Sequence, residues 1–387
     1  MGTYIVIGGA GRSGMAIVDK LQSAGHDVYV VDINAEALAA LNRGVKIEVK
    51  GVDQAKKLKV DSTHTVHFVL GNDVWPNLPL PDAVLVTTPN YGMDADVNKN
   101  GLKRALVLAE RLANPANKLS KLQPIIELTN GYKHGDFVGP AIRGSINSPS
   151  TIKGSGDELT LNYLSDGKFK LVIGNDENKD LWGGNIAEVI EDLKAADIEV
   201  DHSKTQAQAM LLKLAETLPI GATALFGTKL KDAVDPSTPT SIVAEAMQRE
   251  LHQFAQRQYR QDMFPELFDE NIDTYLGKLR KLREQKGDTP GSVSMTLEAN
   301  PPRRTEIDAI FKDFAALAKD AKTPYQVTEA VHTLLQDMEI RVHQGENIAE
   351  IRKDYAGIDS IDALKAKANM IRARKGQLGA DGGVAFG

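Results

Sequence analysis

The chain contains no cysteine. That excludes disulfides, thiolate nucleophiles and cysteine-ligated metals. No apolar run approaches the roughly 20 residues that span a bilayer, so no membrane association is expected. No basic segment precedes the first apolar run, so a signal peptide is not expected and the cytoplasm is the default location. The net charge of −6 offers no excess of positive charge to a phosphate backbone, which argues against a general nucleic-acid binder. The eight histidines are scattered. His64 and His67, three apart in a strand-like run, point to opposite faces and cannot easily hold one ion, and no helix-spaced ligand pair occurs, so no metal is expected. What remains is ordinary for a globular protein: 42% hydrophobic and 25% charged residues over 387 positions, enough for two domains with sizeable cores.

The strongest signal lies at the start. Residues 5–14 read Ile-Val-Ile-Gly-Gly-Ala-Gly-Arg-Ser-Gly, and residues 28–32 (Val-Tyr-Val-Val-Asp) end a second apolar run. This is a strand, a glycine turn, an amphipathic helix over 15–21 and a second strand closed by a carboxylate. Gly9 lets the chain turn tightly out of the strand, and Gly11 leaves room for backbone N–H groups to approach a pyrophosphate. Arg12 and Ser13 open the helix whose N-terminus faces that negative charge, and Gly14 lets the helix pack close to the strand. Asp32 is placed to accept hydrogen bonds from ribose hydroxyls. Gly8, Gly11 and Gly14 also fit a looser spacing, and a glycine-rich strand–helix turn without a ligand has the same local pattern. A carboxylate at Asp32 repels a 2′-phosphate, so NAD(H) is favoured; Arg43 and Lys50 downstream keep NADP(H) possible.

Beyond this motif, residues 1–90 alternate short apolar runs with helical patterns, which predicts a Rossmann-type doubly wound parallel sheet. A helix is expected over 35–41, and strands over 45–49, 66–70 and 83–87. A helix over 101–113 and a strand over 124–128 follow. Thr88 and the Asn130-Gly131 turn fall beyond strand ends, on the edge where ligands bind such sheets. Leu159 to Leu164 and Phe169 to Ile173 read as paired strands joined by Ser165-Asp166-Gly167, before a helix over 186–195. After Lys204 the strand signal vanishes, and apolar spacing of three and four over 205–226, 241–282, 304–319 and 325–343 predicts an all-α C-terminal domain. Residues 287–302 read as a Gly-, Pro- and Ser-rich linker. The basic runs at 280–283 and 372–375 read as solvated helix faces. The expected organisation is a dinucleotide-binding domain over 1–203, a helical substrate domain over 204–345, and a charged helical extension over 346–387 whose glycine-rich tail from Gly376 is expected to be disordered.

The helical half is expected to supply the proton donor. Lys213 sits in Ala209-Met210-Leu211-Leu212-Lys213-Leu214, a nearly apolar segment. Either it reaches out from the helix edge, or it is partly buried, and desolvation makes a lysine a better proton donor.

Several stretches then resemble the ketopantoate reductase family. The run from Met210 to Phe226 is similar to the family helix in which a Lys-Leu segment precedes small residues. Ser294-Met295, followed a dozen residues on by Thr305-Glu306-Ile307-Asp308, resembles its second signature, with the serine-to-glutamate spacing intact. Asn130-Gly131 after an apolar strand resembles its Asn-Gly turn. The resemblance spans residues 3–345 in the family's order.

The resemblance implies that Lys213 is the general acid for carbonyl reduction and that Glu306 orients it. It implies that Ser294 binds a substrate carboxylate and that Asn130 lies between nicotinamide and substrate. Read from the residues alone, Glu306 is equally a helix-start glutamate, Ser294 a loop serine and Asn130 a turn residue. Thr217 and Gly221 stand where the family carries asparagines on its substrate wall, Pro89 where it carries a lysine, and Asp32 where it uses a basic residue.

The expected activity is NAD(P)H-dependent reduction of a 2-keto acid, with a small-molecule substrate and a possible homodimer through the helical domain. An opine-type dehydrogenase acting on an imine is an alternative; such enzymes use a histidine–aspartate pair, and no histidine is expected at the site here. A non-catalytic dinucleotide-binding sensor is the third reading.

Overall fold

In the computed structural model the described residues are 1–52, 56–68, 77–88, 101–114, 123–128, 141–147, 150–154, 158–163, 169–174, 186–258, 272–286, 291–299, 302 and 305–378. They form two compact units that divide between Met210 and Leu211.

The first unit is built on β1 (Thr3–Ile7), a run of apolar side chains buried on both faces, as a central parallel strand requires. It pairs in parallel with β2 (Asp27–Asp32) on one side and β6 (Ala83–Val86) on the other. The strands β5 (Thr65–His67), β7 (Ile125–Leu128), β8 (Ile142–Asn147), β11 (Lys170–Ile173) and β12 (Glu199–Asp201) complete an eight-stranded sheet in the order β12-β11-β8-β7-β6-β1-β2-β5. Only the β8–β11 pair is antiparallel. The order runs outward from β1 in both directions, so the carboxyl ends of β1 and β6 flank the switch point where doubly wound sheets bind ligands. Described helices of this unit are α1 (Arg12–Ser23), α2 (Ala35–Arg43), α3 (Gly101–Ala113) and α4 (Ile186–Ala195).

Two expectations are corrected here. The segments over 45–49 and 159–164 do not join the main sheet or the later strand. The strands β3 (Val45–Val49) and β10 (Thr160–Tyr163) pair in parallel within a separate four-stranded sheet, with β4 (Lys56–Leu58) and β9 (Ser150–Lys153) at its edges. The expected hairpin to β11 therefore does not form, and its turn residues lie outside those described. The small sheet is tied to α1 through Asp19: the Tyr163 hydroxyl donates to Oδ2 at 3.2 Å, and Lys56 Nζ lies 2.7 Å from Oδ1.

The second unit is helical among its described residues. It begins within α5 (Gln206–Phe226), followed by α6 (Pro239–Gln258), α7 (Ile272–Lys286) and α8 (Ser292–Leu297). A π-helical turn (Asp308–Lys312) runs into α9 (Asp313–Asp320), and α10 (Gln326–His343), α11 (Ile348–Lys353) and α12 (Ile361–Leu378) complete it. The helical stretch expected over 241–282 comprises α6 and α7, with 259–271 outside the described residues. The charged C-terminal stretch is part of this core. Leu364, Ala368 and Ile371, spaced by four and three, are buried, and Tyr355 donates its hydroxyl to Asp337 at 3.0 Å. The last helix runs past Gly376 to Leu378.

By length and composition α5 passes the test for a membrane span, with a mean hydropathy of 1.4 over its most apolar window, against the expectation that no run does. That window is 72% buried inside the protein, which makes α5 a core helix.

Candidate active site

In the first unit, the glycine turn is held from two sides. Gly8 adopts φ +78°, and its N–H donates to Val31 at the end of β2 at 2.8 Å. The Thr87 hydroxyl, just past β6, donates to the carbonyls of Ile7 and Gly8, each at 3.0 Å. A Cβ on Gly8 would lie 3.0 Å from the Thr88 nitrogen, so Thr88 is packed directly against the turn.

The other glycines divide by role. A Cβ on Gly14 would fall 2.3 Å from the Gly8 carbonyl oxygen, and one on Gly9 would fall 2.8 Å from Val30 Cγ1. Both positions are closed by packing. At Gly11 a Cβ would meet only the Gly8 oxygen, at 3.2 Å, so this side of the turn is open. Gly11 caps α1 without a side-chain hydrogen bond, and no acidic residue lies in the first turn. The N–H groups at the start of α1, through Arg12 and Ser13, have no intrahelical acceptors. That combination fits a pyrophosphate held by backbone N–H groups and the helix dipole.

Asp32 closes the turn. Its Oδ2 accepts the Ala10 N–H at 3.0 Å and its Oδ1 the Asn34 N–H at 2.9 Å. Burial pushes its carboxyl above the usual range, and these N–H donors pull it back. Asp32 therefore does more than the sequence suggests: the carboxylate expected at a ribose also pins the glycine turn to the second strand.

In the second unit, Lys213, Thr217 and Gly221 occupy positions i, i+4 and i+8 of α5 and share one stripe of that helix. Lys213 is half-buried. Thr217 is buried, and its hydroxyl donates to the Lys213 carbonyl at 2.9 Å.

Two other segments meet this helix a turn further on. Phe311 of the π-helical turn packs on Gly221 so closely that a Cβ there would lie 2.6 Å from Cζ. A Cβ on Gly291, which caps the helix carrying Ser294, would likewise lie 2.6 Å from Ile220 Cγ2. Ser294 is 2% exposed, and its Oγ has no hydrogen-bond partner among the described residues. Glu306 is half-buried and accepts the Ile310 N–H on its carbonyl at 3.1 Å, at the start of the π turn. Such turns recur at functional sites. The segments bearing Ser294 and Glu306 thus converge on the helix that bears Lys213. Asn130 lies outside the described residues.

Three features escaped the sequence reading. Arg283, expected on a solvated face, is only 4% exposed. It donates to the Ala233 carbonyl at 2.8 Å and to Gln248 Oε1, and burial lowers its guanidinium to about 10. Arg372, in the other basic run, is exposed as expected, but it also makes a bond the sequence did not show, donating to the Thr333 hydroxyl at 3.0 Å. And a histidine does approach the candidate segment: His332 Nε2 lies 2.6 Å from Asp308 Oδ1, two residues beyond Glu306.

Comparison with known proteins gives this geometry a context. Residues 5–177 match the family model described as Ketopantoate reductase PanE/ApbA, and residues 207–339 the model described as Ketopantoate reductase PanE/ApbA C terminal. The protein is an NAD(P)-dependent oxidoreductase acting on a CH–OH group, a reductase of a keto acid. The chain belongs to the ketopantoate reductase family.

Solved structures share the fold. The family's ketopantoate reductase from Ralstonia eutropha JMP134 is 17% identical, with a TM-score of 0.62 over 88% of this chain and 99% of its own. D-mandelate dehydrogenase with NADH and anilino(oxo)acetate is 16% identical, with a TM-score of 0.66 over the same shares. The 2-dehydropantoate 2-reductase from Geobacter metallireducens GS-15 is 18% identical, with a TM-score of 0.63 over 86% and 99%. No curated protein matches the chain.

Proposed function

We propose that the protein reduces a 2-keto acid to the 2-hydroxy acid, with Lys213 as general acid. A nicotinamide cofactor held at the Gly9, Gly11 and Gly14 turn would supply the hydride that the carbonyl carbon receives. Lys213 donates a proton from Nζ to the carbonyl oxygen as negative charge develops there. Glu306 accepts from the Lys213 ammonium group and so holds it in line with the substrate oxygen. The Ser294 hydroxyl donates to the substrate carboxylate, with Asn130 and Thr217 completing the wall. The observation that carries this reading is the convergence of the Ser294 and Glu306 segments on the Lys213 helix, together with a buried Ser294 hydroxyl that has no described partner. A buried hydroxyl without a partner costs free energy, which a ligand carboxylate would recover.

The cofactor is read as NAD(H). Asp32 presents a carboxylate beside the place of a 2′-phosphate, at a strand end where its own N–H bonds fix its position. A homodimer is the expected assembly; the ketopantoate reductase from Staphylococcus aureus is described as dimeric.

The test is oxidation of NADH and NADPH against a panel of 2-keto acids, ketopantoate included. Ketopantoate itself is disfavoured by Thr217 and Gly221. The His332–Asp308 pair supports a second reading, imine reduction, because it is the kind of pair that opine-type enzymes use. Each keto acid is therefore also assayed with an amine. Turnover only with the amine present selects the second reading.

A further inference from the structure

The segment that carries Glu306 is gripped on both sides by one helix. Before it, the Thr305 N–H donates to Glu339 Oε1 at 2.5 Å. After it, Asp308 pairs with His332 at 2.6 Å. His332 and Glu339 are seven residues apart on α10, two turns on one face. Neither bond follows from helix geometry: Thr305 precedes the π turn, and its N–H would otherwise need a local acceptor. We propose that Glu339 and His332 are positioning residues that fix the backbone on either side of Glu306 and so aim its carboxylate. The proposal rests on the reading of Glu306 as a catalytic residue.

The chemistry of the grip supports this role. A carboxylate accepting a backbone N–H makes a charge-assisted bond, shorter and about twice as strong as a neutral one. Burial raises the carboxyl of Glu339 above its ordinary range, opposed by the hydrogen bond from the Thr305 N–H. The other charged groups acting on it are Asp308 from the π turn, which raises it further, and His343 on its own helix, which lowers it. Glu339 and Asp308 are like charges within each other's field, and His332 is the group that takes up Asp308. Losing the charge on Glu339 weakens the hold on Thr305. Loss of His332 would leave Asp308 to repel Glu339. Both changes loosen the same four residues.

The test separates this from a merely structural role. In the amide spectrum of the deuterated full chain, the Thr305 proton is expected far downfield and titrating with Glu339. Glu339→Ala should move it upfield and abolish the titration. The same variant should lower kcat at least tenfold with KM for the cofactor unchanged, and Glu339→Gln, which keeps an acceptor oxygen, should recover most of kcat while its Thr305 amide no longer titrates. In a Glu306→Ala background, Glu339→Ala should cost nothing more, because the two act through one carboxylate.

An unmoved Thr305 amide, or an undiminished effect of Glu339→Ala without Glu306, overturns the proposal. If Glu339→Ala does not fold, Glu339→Gln carries the amide measurement and His332→Asn carries the cycle with Glu306→Ala. A Thr305 amide that responds as stated while Glu306→Ala leaves kcat intact overturns instead the catalytic reading of Glu306.

Discussion

The side-chain amide of Gln248 donates a 3.0 Å hydrogen bond to the carbonyl of Ala215, four residues before Pro219. Proline has no N–H, so within α5 the Ala215 carbonyl has lost its helical donor. Gln248, fully buried on α6, replaces it, and its own oxygen accepts from the buried Arg283. The turn of α5 just beyond Lys213 is thus held by a side chain from another helix.

Gln248→Leu removes both halves of that link. It leaves the Ala215 carbonyl without a donor and deprives a buried guanidinium of an acceptor. Breaking a buried charged network costs about 3–5 kcal/mol. Urea unfolding should show a loss of that size, and a loss under about 1 kcal/mol would mean that water replaces Gln248.

Lys213→Ala should lower kcat for carbonyl reduction by at least about 10²-fold, the usual loss for a general acid, with cofactor affinity little changed. Steady-state kinetics on the best keto acid, with cofactor titration alongside, checks this. Turnover close to that of the unaltered protein would remove Lys213 from the proton transfer.

Asp32→Asn should shift the ratio of NADH to NADPH affinity by about tenfold toward NADPH, since one unit charge near the 2′-phosphate is removed. Affinity for both should fall as well. The carboxylate uses separate oxygens for Ala10 and Asn34, and an amide has only one acceptor oxygen. Fluorescence titration of both reduced cofactors reads both effects; an unchanged ratio would place the selectivity elsewhere, with Arg43 the first cation to examine.

Much of this was legible in the sequence, for reasons that are local. The strand, glycine turn, α1 and β2 follow from periods of two and 3.6 and from glycine spacing, all within 32 residues. The stripe Lys213, Thr217, Gly221 follows from the same helical period. The partner of each strand did not. Residues 159–164 and 169–173 carry the same apolar alternation, and nothing in that alternation says that one joins β3 and the other β8, over a hundred positions and some twenty-five positions away. Arg283 read as solvated because burying a guanidinium is expensive until its acceptors are known, and those acceptors come from α6 and from the Ala233 carbonyl. The Glu339–Thr305 bond was out of reach because its donor is a backbone N–H, which leaves no trace in residue type.

Stability should depend on pH through Glu250. Its carboxylate, buried on α6, accepts the Val327 and Thr328 N–H groups at 2.8 and 2.9 Å, capping the start of α10. Burial nonetheless lifts its carboxyl above the ordinary value of 4.5. A raised value means that the folded chain binds the proton more tightly than the unfolded one. The stabilisation from this group is complete below about pH 4.5 and is lost as pH rises through the lifted value. The exposed Asp61, Asp235 and Asp354, lowered by their hydrogen bonds, act in the opposite sense below about pH 4. Glu250→Gln isolates the first effect: the stability of the unaltered protein relative to this variant should fall with rising pH above 4.5. A flat difference would mean that Glu250 titrates normally.

Gly221 decides whether the departure from the family's asparagine is a choice of substrate or of packing. A Cβ at this position would lie 2.6 and 2.7 Å from Phe311 Cζ and Cε1, and 3.0 Å from Val331 Cγ1. Phe311 is fully buried and belongs to the π turn that follows Glu306, so the ring cannot swing out to solvent. Gly221→Ala should therefore cost about 1–3 kcal/mol through overpacking, outweighing the gain of alanine over glycine in a helix. Gly221→Asn should cost more, because its amide would also be buried against an aromatic ring without a partner. If packing is the reason, Phe311→Leu should restore much of the stability of Gly221→Ala while changing the keto-acid profile little. If Gly221→Asn instead folds well and turns over ketopantoate, the position is a specificity wall, and the π turn has another arrangement that admits the amide. Urea unfolding and the keto-acid panel, run on the single and double variants together, separate the two.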